Sequence, residues 1–434
     1  MTTDQNYQQI YRVGGMLDAG FVGQITYTIS LDQVYDELDI HFSFDKRLYS
    51  ESDVTPELID RLQTLCTAKY NAPTYPAEEF RQTILHEMKT EIHTMAELND
   101  NFIGCIHRQL TDRHMLYTKE FTSDGCLAQD TFSGVLKVTV LVFNVLLDNT
   151  QYTLTVSGHP VGQGVIAPNF NLMDTVKTAA GNAGASNAAG SADNSCEAES
   201  APASAVATAG SSGVSGAGSA ATAGDSSTTG SSSAGNTVTA STRFKRLELH
   251  NHTVESDGSL TCQELTEYLA ADHVDAFAIT DHNTTSGQKK IEQLLEEKHY
   301  PISLIRGMEY TTYFGHILCL NLAKYVPWNS IDQHRPELLF EAAREKGALV
   351  GIAHPFSYGD PFARGCRFEM TISDYSKVDF IEIFNNPEPL HEVNERGTNL
   401  WMSLIFSGYQ ITATSGMDYS KVDFIEIFNN PEPH

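Results

Sequence analysis

The alternation of apolar and polar positions divides the chain into two regions with different rhythms. In the first, Leu38-Asp39-Ile40-His41-Phe42-Ser43-Phe44 alternates strictly, the period of a strand with one buried face. Gln24–Leu31, Leu136–Leu147 and Gln151–Ser157 read as further strands, the last two joined by the turn residues Asp148-Asn149. Thr55–Lys69 and Ala77–Leu98 show helical spacing instead. Residues 1–175 are therefore expected to form an antiparallel, β-sandwich-like domain with helical insertions.

In the second region β and α signals take turns. Arg246–His250 predicts a short strand, and Thr261-Cys262-Gln263-Glu264 a capping box that opens a helix. Strands are predicted at Ala276–Thr280, Ile302–Arg306, His316–Leu322, Leu349–Ala353, Phe380–Phe384 and Ile411–Ala413. Helices are predicted at Gly287–His299, Pro336–Lys346 and Leu390–Ser407. Repeated units of this length predict an α/β fold over residues 243–434, with a parallel sheet closed into a barrel. Between the regions, residues 176–242 are almost entirely Ala, Gly, Ser and Thr. Such a segment cannot bury enough apolar surface to offset its ordering entropy, so a disordered tether is expected, leaving the flanking halves independent.

Charge narrows the partners. With 28 basic and 55 acidic residues the formal charge is −27, which repels phosphate backbones and argues against stable nucleic-acid binding. A small anionic substrate stays compatible, because bound cations reverse the local sign. The cysteines number 7, are widely spaced and form no C-x-x-C, against a disulfide framework or thiolate zinc site and in keeping with a reducing cytoplasm. Met1–Tyr11 lacks the apolar core of a signal peptide, and the most apolar run, Val135–Leu147, is too short to span a bilayer. A cytoplasmic protein without a membrane partner is the expectation.

Candidate chemistry collects at the ends of the later strands. His250 and His252 form an H-x-H pair, and Asp257 follows in Ser256-Asp257-Gly258. Asp281 and His282 come directly after one strand, Glu309 after the next, His316 opens another, and His354 and Asp418 follow two more. Each piece alone is ordinary turn or surface chemistry. Together they place ligand-type residues at the rim where α/β barrels build active sites. Imidazole mixed with carboxylate suits Zn, Mn or Fe, and so many candidates exceed the needs of one ion. Two to three divalent ions, spaced about 3.5–4 Å, would use them. Arg364 and Arg367 could clamp a phosphate bidentately or simply line a solvated loop. The basic group His107, Arg108, Arg113 and His114 reads as surface.

The segments His250-Asn251-His252-Thr253, Ser256-Asp257-Gly258, Ile279-Thr280-Asp281-His282-Asn283, Gly307-Met308-Glu309, Gly315-His316, Ala353-His354-Pro355 and Ser415-Gly416-Met417-Asp418 resemble the PHP (polymerase and histidinol phosphatase) superfamily. The chain looks most like its CehA/McbA-like metallohydrolase branch, whose members often carry an N-terminal β-sandwich. The resemblance implies a distorted (β/α)7 barrel and metal-dependent hydrolysis of a small phosphomonoester or nucleotide by attack of a water bridging the ions. By position, His250, His252, Glu309 and Asp418 would hold a first ion, and Glu309 would bridge to a second held by His316 and His354. Asp257 and His282 would hold a third with a histidine at position 420, where this chain has Ser420. Asp281 would orient or deprotonate the water, or hold a ligand histidine in place. The same ions would polarise a carbonyl, so a carbamate, ester or amide hydrolase stays open, as does a module impaired by Ser420.

All these ligands follow the tether, so the segment from about Ser241 onward is expected to bind its metals alone. Asp374–Pro389 recurs identically as Asp418–Pro433, where diverged copies would mark an evolved repeat. The copy points to a recombination or assembly event that replaces the expected barrel closure. About two tightly held ions are the expectation.

Overall fold

In the computed structural model, which describes residues 7–70, 74–108, 110–162, 245–357, 368–385 and 392–416, the two strands expected around residues 24 and 38 are one. This strand, β2 (Gly23–Phe44), changes partners at a register shift between Leu31 and Tyr35. Its first half pairs antiparallel with β6 (Phe132–Asn144). Its second half pairs with β7 (Thr150–Pro160) and β5 (Asp112–Tyr117). β1 (Gln8–Leu17) adds to β7, while β3 (Glu91–Leu98) and β4 (Asn101–Ile106) extend from β6, giving a 7-stranded antiparallel sheet. Leu38, Ile40 and Phe42 alternate inward as their spacing requires and meet Ile92, Val138, Val140 and Leu154 in one cluster.

Helices α1 (Pro56–Tyr70) and α2 (Ala77–Glu87) are the insertions. The helix expected over Ala77–Leu98 ends early, because Glu91–Leu98 is strand β3, buried on both faces between β6 and β4. Pairing on both edges overrides a local helical rhythm there, and the β-branched Ile92 and Thr94 suit it.

The second sheet runs in chain order: β8 (Leu247–Glu248), β9 (Ala276–Ile279), β10 (Ser303–Thr312), β11 (Gly315–Leu320), β12 (Leu349–Ile352), β13 (Phe380–Phe384) and β14 (Thr412–Ser415). Helices α3 (Cys262–Ala271), α4 (Ser286–Lys298) and α6 (Glu392–Phe406) provide parallel crossovers, while α5 (Glu337–Glu345) links the antiparallel pair β11 and β12. Thr261 and Glu264 close the expected capping box at the start of α3.

The sheet is mixed, not parallel throughout. β11 runs antiparallel to both β10 and β12. The Tyr313-Phe314 connection is too short for a parallel crossover, which needs about a dozen residues. Thr312 Oγ1 accepts from Phe314 N (3.1 Å) and donates to Gly315 O (2.7 Å), closing a hairpin instead. β8 and β14 are the two ends of the sheet and do not pair with each other among the described residues, so this is a mixed α/β sheet without demonstrated barrel closure.

The independence expected of the flanking halves is not what the packing gives. Met95, Cys105, Leu141 and Phe143 from the first sheet share one core with Met308, Tyr310, Tyr313 and Trp328 from the second. Phe102 stacks on Tyr325 with ring centroids 4.0 Å apart. Burying each such aromatic contributes about 1.5–3 kcal/mol, so separating the sheets would expose a large apolar face. Residues 163–244, which contain the expected tether, lie outside the described residues. Among the described residues no helix is long and apolar enough to cross a membrane.

Candidate metal centre

Glu309 is the hub. It sits on β10, fully buried, and its two carboxylate oxygens face different histidines. Oε2 lies 3.0 Å from His250 Nε2, 3.1 Å from His252 Nε2 and 3.2 Å from His282 Nδ1. Oε1 lies 2.8 Å from His316 Nδ1 and 3.0 Å from His354 Nε2. The two Nε2 atoms of His250 and His252 are themselves 3.0 Å apart. Ligand atoms about 2.1 Å from one tetrahedral ion lie roughly 3.4 Å from each other, so these separations match a shared cation to within a few tenths of an ångström.

Each element delivers its residue for a local reason. His250 and His252 leave the end of β8, where Asn251 turns away to donate to Ala278 O. His282 follows β9, and Asn283 takes the left-handed conformation (φ 54°), exchanging hydrogen bonds with the backbone of Thr311. Thr311 Oγ1 meets His282 Nδ1 at 2.7 Å and fixes the ring. His316 opens β11 opposite Thr311 in the hairpin. His354 follows β12 with φ 26°, a strained angle for a side-chain-bearing residue, and its N–H donates to Glu382.

The electrostatics suit cations. Burial alone would raise the Glu309 pKa, but the surrounding histidines, His250 foremost, hold it well below the usual carboxylate range. Burial opposes charge on His250, yet Glu382 and Glu309 raise its pKa well above the ordinary value. The field that stabilises a proton there would equally stabilise a metal ion. His282, by contrast, is pushed well below the ordinary value by burial and by its histidine neighbours.

Asp281 is buried, its pKa raised to about 6 by burial against the opposing His252 charge and hydrogen bonds. Its oxygens accept from Thr253 N (2.7 Å), Ser256 Oγ (2.7 Å) and Thr253 Oγ1 (2.9 Å). It thereby pins the loop that follows His252. Asp257, on that loop, is partly exposed and lies 3.7 Å from His282 Nε2. Arg364, Arg367, Asp418 and Ser420 lie outside the described residues.

Two residues were not read as part of the site from the sequence. Glu382, inside β13, is buried and lies 3.0 Å from His250 Nδ1, on the far side of the ring from Glu309. An acidic residue in the apolar run Phe-Ile-Glu-Ile-Phe is the signal that could have found it. His107, expected on the surface, is buried, stacked on His282 with centroids 4.1 Å apart and 3.9 Å from Asp257. Arg113 is buried too, its guanidinium over Phe42, and burial lowers its pKa to about 9. The expected exposed patch is thus half interior, because β4 and β5 lie within the sheet that meets the second core.

Buried imidazoles converging on one central carboxylate define a candidate multinuclear metal centre. Comparison with known proteins gives three kinds of likeness. Residues 7–160 match a family of unknown function, DUF6669. An uncharacterized protein of Methanocaldococcus jannaschii, MJ1587, is 30% identical over 112 residues, 26% of this chain and 58% of that protein. A 5'-3' exoribonuclease of Haemophilus influenzae is 36% identical over 141 residues, 31% of this chain and 50% of that enzyme. The chain thus spans about half the length of these relatives. A Bacteroides vulgatus two-domain protein, described as containing a predicted PHP-like metal-dependent phosphoesterase, superposes with TM-score 0.31 at 18% identity. That superposition covers 41% of this chain and 52% of the other, too partial to define a shared fold.

Proposed function

We propose that this protein is a metal-dependent hydrolase of phosphate esters, acting on a small phosphomonoester or nucleotide. The observation that carries the reading is the split of Glu309, one oxygen toward His250 and His252, the other toward His316 and His354. A carboxylate shared between two imidazole sets is what two neighbouring hydrolytic ions require. In this reading His250, His252 and Glu309 would hold one ion, with Asp418 (outside the described residues) proposed from the sequence alone, and Glu309, His316 and His354 would hold the second. Ions of the Zn, Mn or Fe kind, when bound, would supply Lewis acidity and an activated water.

The protein's own groups do the positioning. Glu382 holds His250 by Nδ1, directing Nε2 inward. Asp281 fixes the Thr253–Ser256 loop rather than entering the cluster. A cleft lined by His354, Phe356, Glu382, Asn385 and Asn394 opens beside the second set, with a volume of about 190 Å³ suited to a small substrate. Arg364 and Arg367, which lie outside the described residues, are proposed from their residue type alone to bind the phosphate. Likeness to an exoribonuclease favours a second substrate, a phosphodiester at an RNA end. The net charge of −27 weighs against gripping a long strand.

The test is phosphate release by the full chain loaded with Mn²⁺ or Zn²⁺, with p-nitrophenyl phosphate, nucleotides and a short 5'-phosphorylated RNA as substrates. Metal-dependent release from the small esters, lost in Glu309→Gln, is the expected result. Cleavage of the RNA alone would move the substrate to the second reading. Hydrolysis of p-nitrophenyl acetate without any phosphoesterase activity would overturn both.

A further inference from the structure

The group around Asp257 differs from the Glu309 cluster in drawing on both sheets. We propose that His107, just beyond β4 of the first sheet, is a ligand of a third divalent cation held together with Asp257 and His282. The proposal rests on the metal-hydrolase reading above. It makes the centre a composite of the two sheets, completed by a side chain more than a hundred positions upstream of the others.

His107 Nε2 lies 3.9 Å from Asp257 Oδ2, and His282 Nε2 lies 3.7 Å from Asp257 Oδ1. One ligand atom from each of the three residues falls within 4.8 Å of the other two. That is wider than the roughly 3.4 Å of a formed tetrahedral site, so the side chains would have to draw in by up to about 1.4 Å around an ion. His282 faces Asp257 by Nε2, its Nδ1 being turned toward Thr311 Oγ1 (2.7 Å) and Glu309 Oε2 (3.2 Å).

The rings of His107 and His282 stack at 4.1 Å and 21°, and His107 Nδ1 is buried without a hydrogen-bond partner. That nitrogen is not the one an ion here would take; what points to a cation is the approach of both Nε2 atoms to the Asp257 carboxylate. A cation between the imidazoles and Asp257 gives them a purpose, and the partly exposed carboxylate leaves an approach for it.

The placement is held from several directions. Arg108 Nη2 donates to Gly258 O (3.0 Å), tying the residue after His107 to the residue after Asp257. Gly125 N donates to Glu255 Oε2 (3.0 Å), and Thr284 Oγ1 donates to Gly125 O (2.9 Å), clamping the same loops. Behind His107, the buried ring of His93 packs at 4.1 Å and blocks retreat into the first sheet. The three donors are therefore set at the contact between the sheets before any ion arrives.

The experiment counts ions. The full chain and its His107→Gln, Asp257→Asn and Glu309→Gln variants are loaded with Mn²⁺, freed of excess and measured by elemental analysis. His107→Gln and Asp257→Asn are each expected to hold one ion fewer per chain than the wild type, with the Glu309 cluster still loaded. Wild-type stoichiometry in a folded His107→Gln would overturn the proposal while leaving the metal-hydrolase reading intact. Absence of stoichiometric metal from the wild type would overturn both. Anomalous diffraction from Zn²⁺-loaded wild-type crystals removes the dependence on variant folding. A peak about 2.1 Å from His107 Nε2 is expected there. Peaks confined to the Glu309 cluster would contradict it.

Discussion

The Glu309 cluster and the Asp257 group sit side by side, yet they are built on different principles. The first is drawn among described residues from the second sheet alone, is fully interior, and brings its donors to 2.8–3.2 Å. The second straddles both sheets, keeps one carboxylate partly open, and spaces its donors at 3.7–3.9 Å. Enclosure around a shared carboxylate favours ions that stay. A looser site at a contact between sheets favours one that exchanges, with an affinity that depends on how firmly the sheets are docked. On the proposed reading the second sheet would hold the ions that stay, and the first sheet would complete the looser site.

The contrast can be broken most severely at its hub. Glu309→Gln would remove the charge that, on the proposed reading, neutralises two ions, and steady-state assays should show activity falling by at least about 10³-fold, the several kcal/mol such ions would supply. A comparable loss in Asp257→Asn would erase the distinction between the groups. Glu382→Gln comes next, with metal affinity expected to fall about 10–100-fold, because the residue orients His250 without approaching the ions. Titration of the metal-free protein with Zn²⁺ checks this.

Docking of the sheets can be loosened without touching a candidate ligand. Gly125 has φ 79°, and a Cβ there would lie 2.3 Å from Cys105 O and 2.9 Å from Glu255 O. Gly125→Ala should cost roughly 1–3 kcal/mol in chemical denaturation. It should also weaken the ion at the Asp257 group more than those at Glu309, which a metal titration resolves. The smallest effect expected is on stability with metal removed. A chelator should lower the thermal transition of the full chain by a few degrees, since ions bound only by the folded state stabilise it through mass action. The shift should shrink in Glu309→Gln.

Much of the cluster was legible in the chain because its side chains have few other uses. Histidines and carboxylates placed just after apolar strands, at His250, His252, His282 and His354, mark a rim wherever the strands line up. What local pattern could not supply was the partner across space. Glu382 lies in a strand whose rhythm reports burial and says nothing of which ring it meets. His107 follows an unremarkable strand, and its proposed role depends on how two sheets pack, which no local rhythm encodes. The same limit explains Glu91–Leu98, helical in spacing and made a strand by β6 and β4. It explains the antiparallel β11 as well, where a two-residue connection decided the direction that repeated β and α signals left open. The gap at Ser420 pointed to about two ions, and the proposed role of His107 supplies the third ligand, a second imidazole, from a place the motif spacing does not reach.

The claim on which the rest depends is that Glu309 bridges two ions. Electron paramagnetic resonance of the Mn²⁺-loaded full chain tests it directly. Two Mn²⁺ ions about 3.5–4 Å apart through one carboxylate are spin-coupled, so the wild type should give a coupled-pair spectrum that collapses to isolated six-line signals in Glu309→Gln. A fully loaded wild type showing only isolated six-line signals would contradict the account.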